Sequence, residues 1–186
     1  MQVRPATPND APGIARVHVA AWQVGYRGMV ADDVLDGLSV DDRMLTWLGD
    51  LTDPENEIST LVVEDDGRIA GFVSVLGVSR DEDAVPGTAE IPALYVDPPR
   101  WRTGVGRALM EVALAALVAA GANEVALWVL EENERGRAFY AAAGFKPDGE
   151  RAVREDVGAP EIRLTRLLGW VTPRGPRGAG RRAETR

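Results

Sequence analysis

Residues Tyr95–Met110 read YVDPPRWRTGVGRALM, and where this stretch divides decides the fold. An apolar run, AEIPALYV, leads into it and is stopped by Pro98 and Pro99, which cannot donate to a strand ladder. Gly104 and Gly106 follow. From Val105 onward apolar residues recur at helical spacing (Val105, Leu109, Val112, Ala116, Ala120) until Gly121 ends the pattern. The stretch is therefore a strand–turn–helix junction. A helix N-terminus presents unpaired N–H groups and a partial positive charge. Glycines in the preceding turn let a phosphate approach that backbone closely. Arg100, Arg102 and Arg107 add donors and positive charge. The dinucleotide fingerprint needs a third glycine where Leu109 stands, and the triphosphate loop needs Lys-Ser/Thr where Arg107-Ala108 stand. Taken alone, the residues leave two readings open: a phosphate cradle of another kind, or a tight turn feeding a helix.

Downstream, EVALWVL is apolar on both faces and reads as a central buried strand. NERGRAFYAAAG reads as a short helix capped by Asn133 and closed by Gly144, with strands following near 145–151 and 162–168. Upstream, ISTLVVEDDGRIAGFVSVLGV divides into two strands joined at Asp66-Gly67, a hairpin signal. Further back lies a short strand over Gln2–Pro5. A helix follows TPND, with Asp10 as cap, Pro12 in its first turn, and Ile14, Val17 or His18, and Ala21 facing inward. WQVGYRGM reads as a loop, and Val40–Leu51 as a second helix. The order β-α-α-β-β-β-α-β-α-β-β predicts a single α/β domain, a mixed sheet with helices packed on its faces. The connection from ALYV to EVALWV is a right-handed crossover.

A length of 186 residues suits one domain, and 45% apolar content is ordinary for a globular chain. No apolar run reaches the roughly 18 residues that would span a bilayer. MQVRPATPND lacks the apolar segment of a secretory signal. These absences predict a cytoplasmic protein that does not enter membranes. Cysteine is absent, which excludes disulfides, thiolate metal sites and a cysteine nucleophile. The single histidine, His18, sits in an apolar helical pattern, so no metal is expected. Net charge is −8, but residues 170–186 hold five arginines against one glutamate, leaving about −12 on residues 1–169. An acidic body disfavours nucleic acid; it suits a cationic ligand or serves solubility. The Gly-, Pro- and Arg-rich 170–186 segment is expected to be a disordered tail outside the 1–169 domain.

YVDPPRWRTGVGRALM resembles the acyl-CoA-binding motif of the GNAT superfamily of N-acyltransferases, Gln/Arg-x-x-Gly-x-Gly/Ala after a strand and a proline. LWVLEENERGRAFYAAAGF resembles the family's next segment: a strand, an Asn, then a helix ending in Phe-Tyr-x-x-x-Gly-Phe. Both occur in the right order and at the right distance. The resemblance spans about Met1–Leu168 and is strongest over Glu90–Phe145. One departure is Trp101, which stands where the family has Gln or Arg.

The resemblance implies a GNAT fold, with a mixed, mostly antiparallel sheet, and acetyl-CoA as cosubstrate. Backbone donors at Arg102, Thr103, Gly104, Val105 and Gly106, with Arg107 beside them, would hold the pyrophosphate. Leu94, Tyr95 and Val96 would pair with the pantetheine arm as an added strand, and Asn133 would contact the same arm. Tyr140 matches the family's proton donor to the leaving thiolate. Glu90 lies fourteen residues before Gly104, the spacing of a catalytic glutamate in histone-acetylating members, and is the candidate general base. Pro92 implies a bulge in that strand. Trp22 and Tyr26, with a loop through Asp32 and Asp33, resemble the family's segment over the acceptor pocket and suit a cationic amine; the other reading has the two aromatics filling the core. With no nucleophile–base pair in the inventory, the acceptor attacks the thioester directly. The acceptor class is a small-molecule amine or a peptide or protein amino group; a homodimer is compatible with the sequence. A CoA-binding sensor without turnover is the alternative.

Overall fold

The computed structural model describes residues 2–169; the predicted tail, 170–186, lies outside the described residues. Seven strands form one sheet: β1 (Gln2–Pro5), β2 (Ser59–Asp65), β3 (Arg68–Leu76), β4 (Thr88–Val96), β5 (Glu124–Leu130), β6 (Lys146–Arg154) and β7 (Ala159–Leu167). Their order is β1-β2-β3-β4-β5-β7-β6. Every pairing is antiparallel except β4–β5. The helices are α1 (Ala11–Gly25), α2 (Asp32–Asp36), α3 (Val40–Thr52), α4 (Val105–Ala119) and α5 (Glu134–Ala142).

Alternation along the strands splits the core in two. On one face α1 and α3 bury Ile14, Val17 and Trp47 against Val62 and Phe72. On the other, α4 buries Val105, Leu109 and Leu117 against Val63, Val73 and Val125. The mixed, mostly antiparallel sheet with helices on both faces is thus the observed architecture. Asp66 and Gly67 both take positive φ, 51° and 72°, the backbone a two-residue hairpin requires.

Local details depart from the sequence reading. The segment after α1 includes the short helix α2. Val112 is 39% exposed, and Met110 and Ala113 take the inward face of α4 instead. The Asp10 side chain does not cap α1: it turns back to accept from the Thr7 amide at 2.8 Å and from Arg4. Folded back, the carboxylate takes charge-assisted bonds from a guanidinium as well as from an amide.

Two features of β4 shape the site. A bulge falls where Ser74 and Leu76 of β3 face Ala93 and Glu90, on either side of Pro92, whose missing N–H weakens the ladder there. Across the bulge the side chains change faces. Ala89 and Ile91 pack with the α4 core, as do Leu94 and Val96, whereas Ala93 and Tyr95 pack with the α1 core. Second, β4 and β5 pair only through Thr88–Glu124, Ala89–Val125 and Glu90–Ala126, and then part.

Candidate active site

The parted strands open a cavity of about 560 Å³, lined by Ile91–Val96 on one side and Trp128–Leu130 on the other. The Asp97 amide donates to Ala70 on β3, so Tyr95 and Asp97 turn their backbone toward β3. Leu94 and Val96, one residue out of phase, turn theirs toward the gap. The Val96 carbonyl is already taken by the Trp101 indole at 2.8 Å. That leaves the Val96 amide and both polar groups of Leu94 for an extended ligand.

At one end of the gap lies the turn into α4. Arg102 has φ 63° and Gly104, the N-cap, has φ 96°. Only glycine enters that region freely, and a β-carbon-bearing residue such as Arg102 pays about 1–3 kcal/mol to do so. The kink aims the first amides of α4 outward. Ala108 is the first to bond back, to Gly104 at 3.0 Å, so the amides of Val105, Gly106 and Arg107 remain without carbonyl partners. The Val105 side chain is buried in the core, so only its amide can serve a ligand. Arg100 is held by Asp65 at 2.9 Å, while Arg102 makes no ion pair among the described residues.

The Trp101 departure has a structural account. Its indole closes the turn onto Val96, and the Arg135 guanidinium stacks over its ring at 3.6 Å from the centroid. Arg135 also lines the cavity, a residue the sequence reading passed over because nothing in NERG marks it out. Asn133 caps α5, accepting from the Gly136 amide at 2.9 Å, and it lines the cavity too. Tyr140 reaches the wall from the same helix, its ring packed on Phe139 and Phe145. Burial, then the neighbouring Tyr95, holds its phenol pKa above the ordinary value.

Through the gap, on the α1 face, is an aromatic chamber. Tyr26 and Tyr95 both line the cavity, with hydroxyls 3.5 Å apart. Trp22 is 3% exposed and packs edge-on to Tyr26 behind the wall. Asp32 and Asp33 are exposed on α2, and Asp32 pairs with Arg27 at 2.8 Å, away from the cavity. Sequence reasoning missed Arg154, which arrives from the β6–β7 hairpin. It lines the cavity with its guanidinium 4.8 Å from the Trp22 ring centroid.

Glu90 is not on the cavity wall. It is 5% exposed and accepts from the Arg80 backbone amide at 3.0 Å, from Arg80 Nε at 3.2 Å and from Arg80 Nη2. The cause is register: Glu90 is the last β4 residue still paired to β5, so it sits below the point where the gap opens.

His18 supports the chamber from behind. Its ring stacks on Tyr95 at 5.0 Å, and Nδ1 accepts from the Trp47 indole at 3.2 Å. The neutral ring therefore carries its proton on Nε2, a buried group without a partner among the described residues. Burial first, then Arg43 and Arg154, pushes its pKa down to about 3. The unfolded chain binds that proton near pH 6.5, so stability is full above about 6.5 and falls as pH drops toward 3. Urea midpoints measured across this window should decline, and His18→Gln should flatten the decline. An equal slope in both proteins would refute the buried neutral imidazole.

A sheet opened between two parallel strands, with a bare helix N-terminus at the opening, suits a ligand that carries an anionic group on an extended arm. The chain belongs to the acetyltransferase (GNAT) family, whose model matches residues 30–145. It is 29% identical over 170 residues to YuaI of Bacillus subtilis, named as an uncharacterized N-acetyltransferase, covering 90% of this chain and 91% of that one. It is 37% identical over 162 residues to the mycothiol acetyltransferase of Clavibacter michiganensis, covering 78% of this chain but 50% of that longer one. Among solved structures, the PaiA N-acetyltransferase of Thermoplasma acidophilum, in complex with coenzyme A, superposes with TM-score 0.72. Identity there is 18%, over 89% of this chain and 98% of that one. YncA of Salmonella typhimurium, solved with acetyl-CoA, gives TM-score 0.65 at 18% identity, over 95% and 98%. At those identities the structural likeness concerns the fold. No helix among the described residues is long and apolar enough to cross a membrane.

Proposed function

We propose that this enzyme moves an acetyl group from acetyl-CoA to an amine by direct attack within a ternary complex. The observation that carries the reading is the gap between β4 and β5, which connects the bare amides of α4 on one face with the Tyr26–Tyr95 chamber on the other. The Val105–Arg107 amides and Arg102 hold a diphosphate. Leu94, the Val96 amide and Asn133 hold an extended amide-bearing arm, as an added strand would be held. The chamber positions the acceptor. Proximity of this kind is worth up to about 7–11 kcal/mol of barrier.

In the transfer the acceptor nitrogen bonds the thioester carbonyl carbon, the carbon–sulfur bond breaks, and the amine proton leaves to solvent. Tyr140 donates a hydrogen bond to the departing sulfur. A thiol of pKa about 8.5 is a stronger acid than this raised phenol, so Tyr140 steadies the thiolate rather than surrendering its proton outright. Glu90 takes no part in this reading, since Arg80 holds its carboxylate. The rate then follows the neutral fraction of the acceptor, only about one in 2,500 for an amine of pKa 10.4 at pH 7.

The test is thiol release from acetyl-CoA against an amine panel, beside calorimetric titration with CoA. Release that follows the acceptor's own ionisation supports the reading. Tight CoA binding with no release for any amine favours the sensor, which the lack of a carboxylate on the cavity wall among the described residues also suits. No CoA binding removes both.

A further inference from the structure

Among the described residues every charged side chain on the cavity wall is an arginine, although the domain around it is strongly acidic: Arg100, Arg102, Arg107, Arg135 and Arg154. The first three belong to the diphosphate turn, and Arg135 stacks on Trp101 beside it. Arg154 stands apart from them. Its neighbours are Trp22, Tyr26 and Tyr95, on the α1 face, where the acceptor sits in the reading above.

The surroundings of Arg154 are short of acceptors. Asp156 takes its Nε at 2.9 Å, and Nη1 and Nη2 have no partner among the described residues. Trp22 Nε1, behind the guanidinium, is a buried donor with no acceptor among the described residues, and so is His18 Nε2. Glu161 also feels Arg154 from β7, but it does not line the cavity. A chamber that offers the Nη1–Nη2 edge of one guanidinium and two phenols, and no carboxylate among the described residues, is ill suited to an ammonium group. It suits an anion, and the planar fork of arginine matches a carboxylate bidentately.

The geometry points to an acceptor that carries a carboxylate beside its amine, an amino-acid-like molecule, with Arg154 as the specificity residue that seats the carboxylate. This rests on the acetyltransfer reading above. It also reverses the expectation of a chamber built for a cation, because Asp32 and Asp33 point elsewhere. Seating the carboxylate fixes where the amine lies relative to the thioester, and the amine reaches the chamber in its neutral form.

The test pairs free α-amino acids with their own carboxamides, which keep the side chain but lose the negative charge; the carboxamide's amine is the weaker base, so every kcat/KM is expressed per neutral amine. Thiol release from acetyl-CoA is measured for each pair, and CoA binding is measured separately by calorimetry. The expected result is that kcat/KM for at least one acid exceeds that of its amide by about tenfold or more, roughly 1.4 kcal/mol. Arg154→Gln should bring the two within about twofold, a difference too small to reflect a charge-assisted pair, while CoA affinity stays within the same range. Arg154→Lys, which keeps charge but not the fork, should fall between. Amides that match or outrun acids overturn the inference, as does a preference that survives Arg154→Gln. An aminophosphonate that outruns its carboxylate counterpart overturns the carboxylate assignment. If CoA binds and no acid is acetylated, the inference fails while the cofactor site stands; if CoA does not bind, the failure lies with the acetyltransfer reading itself.

Discussion

Gly106→Asp is expected to weaken CoA binding by about a hundredfold or more, roughly 2.7 kcal/mol. Gly106 lies in the first turn of α4, among the amides that have no carbonyl partner. A carboxylate there settles on those amides and opposes the helix dipole favourably, by about 0.3–1 kcal/mol. The helix therefore keeps its stability while its anion site is filled from within. An incoming diphosphate then meets like charge within a few ångströms, a penalty of about 4 kcal/mol at 4 Å for an effective dielectric of 20. A β-carbon at this position lies 3.4 Å from the Phe139 ring and 3.6 Å from a Val96 methyl, close but without a severe clash. The measurement is calorimetric titration with CoA beside a thermal melt. Unchanged affinity in a folded variant would show that the diphosphate binds elsewhere.

Tyr140→Phe is expected to lower turnover by about a hundredfold, the lower end of what losing one preorganised hydrogen-bond donor to a developing charge costs. CoA affinity should hold within about twofold, since the proposed cofactor grip is at α4 and along β4 rather than at this hydroxyl. The ring packs between Phe139 and Phe145, and phenylalanine preserves that packing. Because burial and Tyr95 raise the phenol's pKa, it stays protonated through the neutral and mildly alkaline range. The wild-type rate should therefore climb with pH toward the acceptor's own pKa, with no alkaline fall from Tyr140. Steady-state kinetics give both answers. Full turnover in Tyr140→Phe would leave the leaving sulfur to another donor.

Much of this was legible in the chain because it is local. The YVDPPRWRTGVGRALM junction carries its own strand stop, its glycine turn and its helical period, and each is enforced by near neighbours. Asn133 caps α5 through Gly136, three residues on, and Asp66-Gly67 makes its hairpin through its own dihedrals. Pro92 announced the bulge that later exchanges the faces of β4.

The charges around the site were not legible in the same way. Glu90 stands at a suggestive spacing, but whether its carboxylate meets a substrate depends on where β4 leaves β5 and on Arg80 folding over it from the loop after β3. Asp32 and Asp33 looked apt for an amine until α2 turned outward and Arg27 paired with Asp32. Arg154 lies far along the chain from Trp22, and no local pattern connects them.

The sequence by itself determined the order of elements apart from α2, the glycine turn before α4 and the family, since these follow from short-range sterics, periodicity and hydrogen bonding. Only the tertiary structure decided which side chains share the aromatic chamber on the α1 face. That outcome depends on long-range register and on which opposite charges find each other first in space, and a guanidinium or carboxylate carries no mark in the sequence of the partner it will meet.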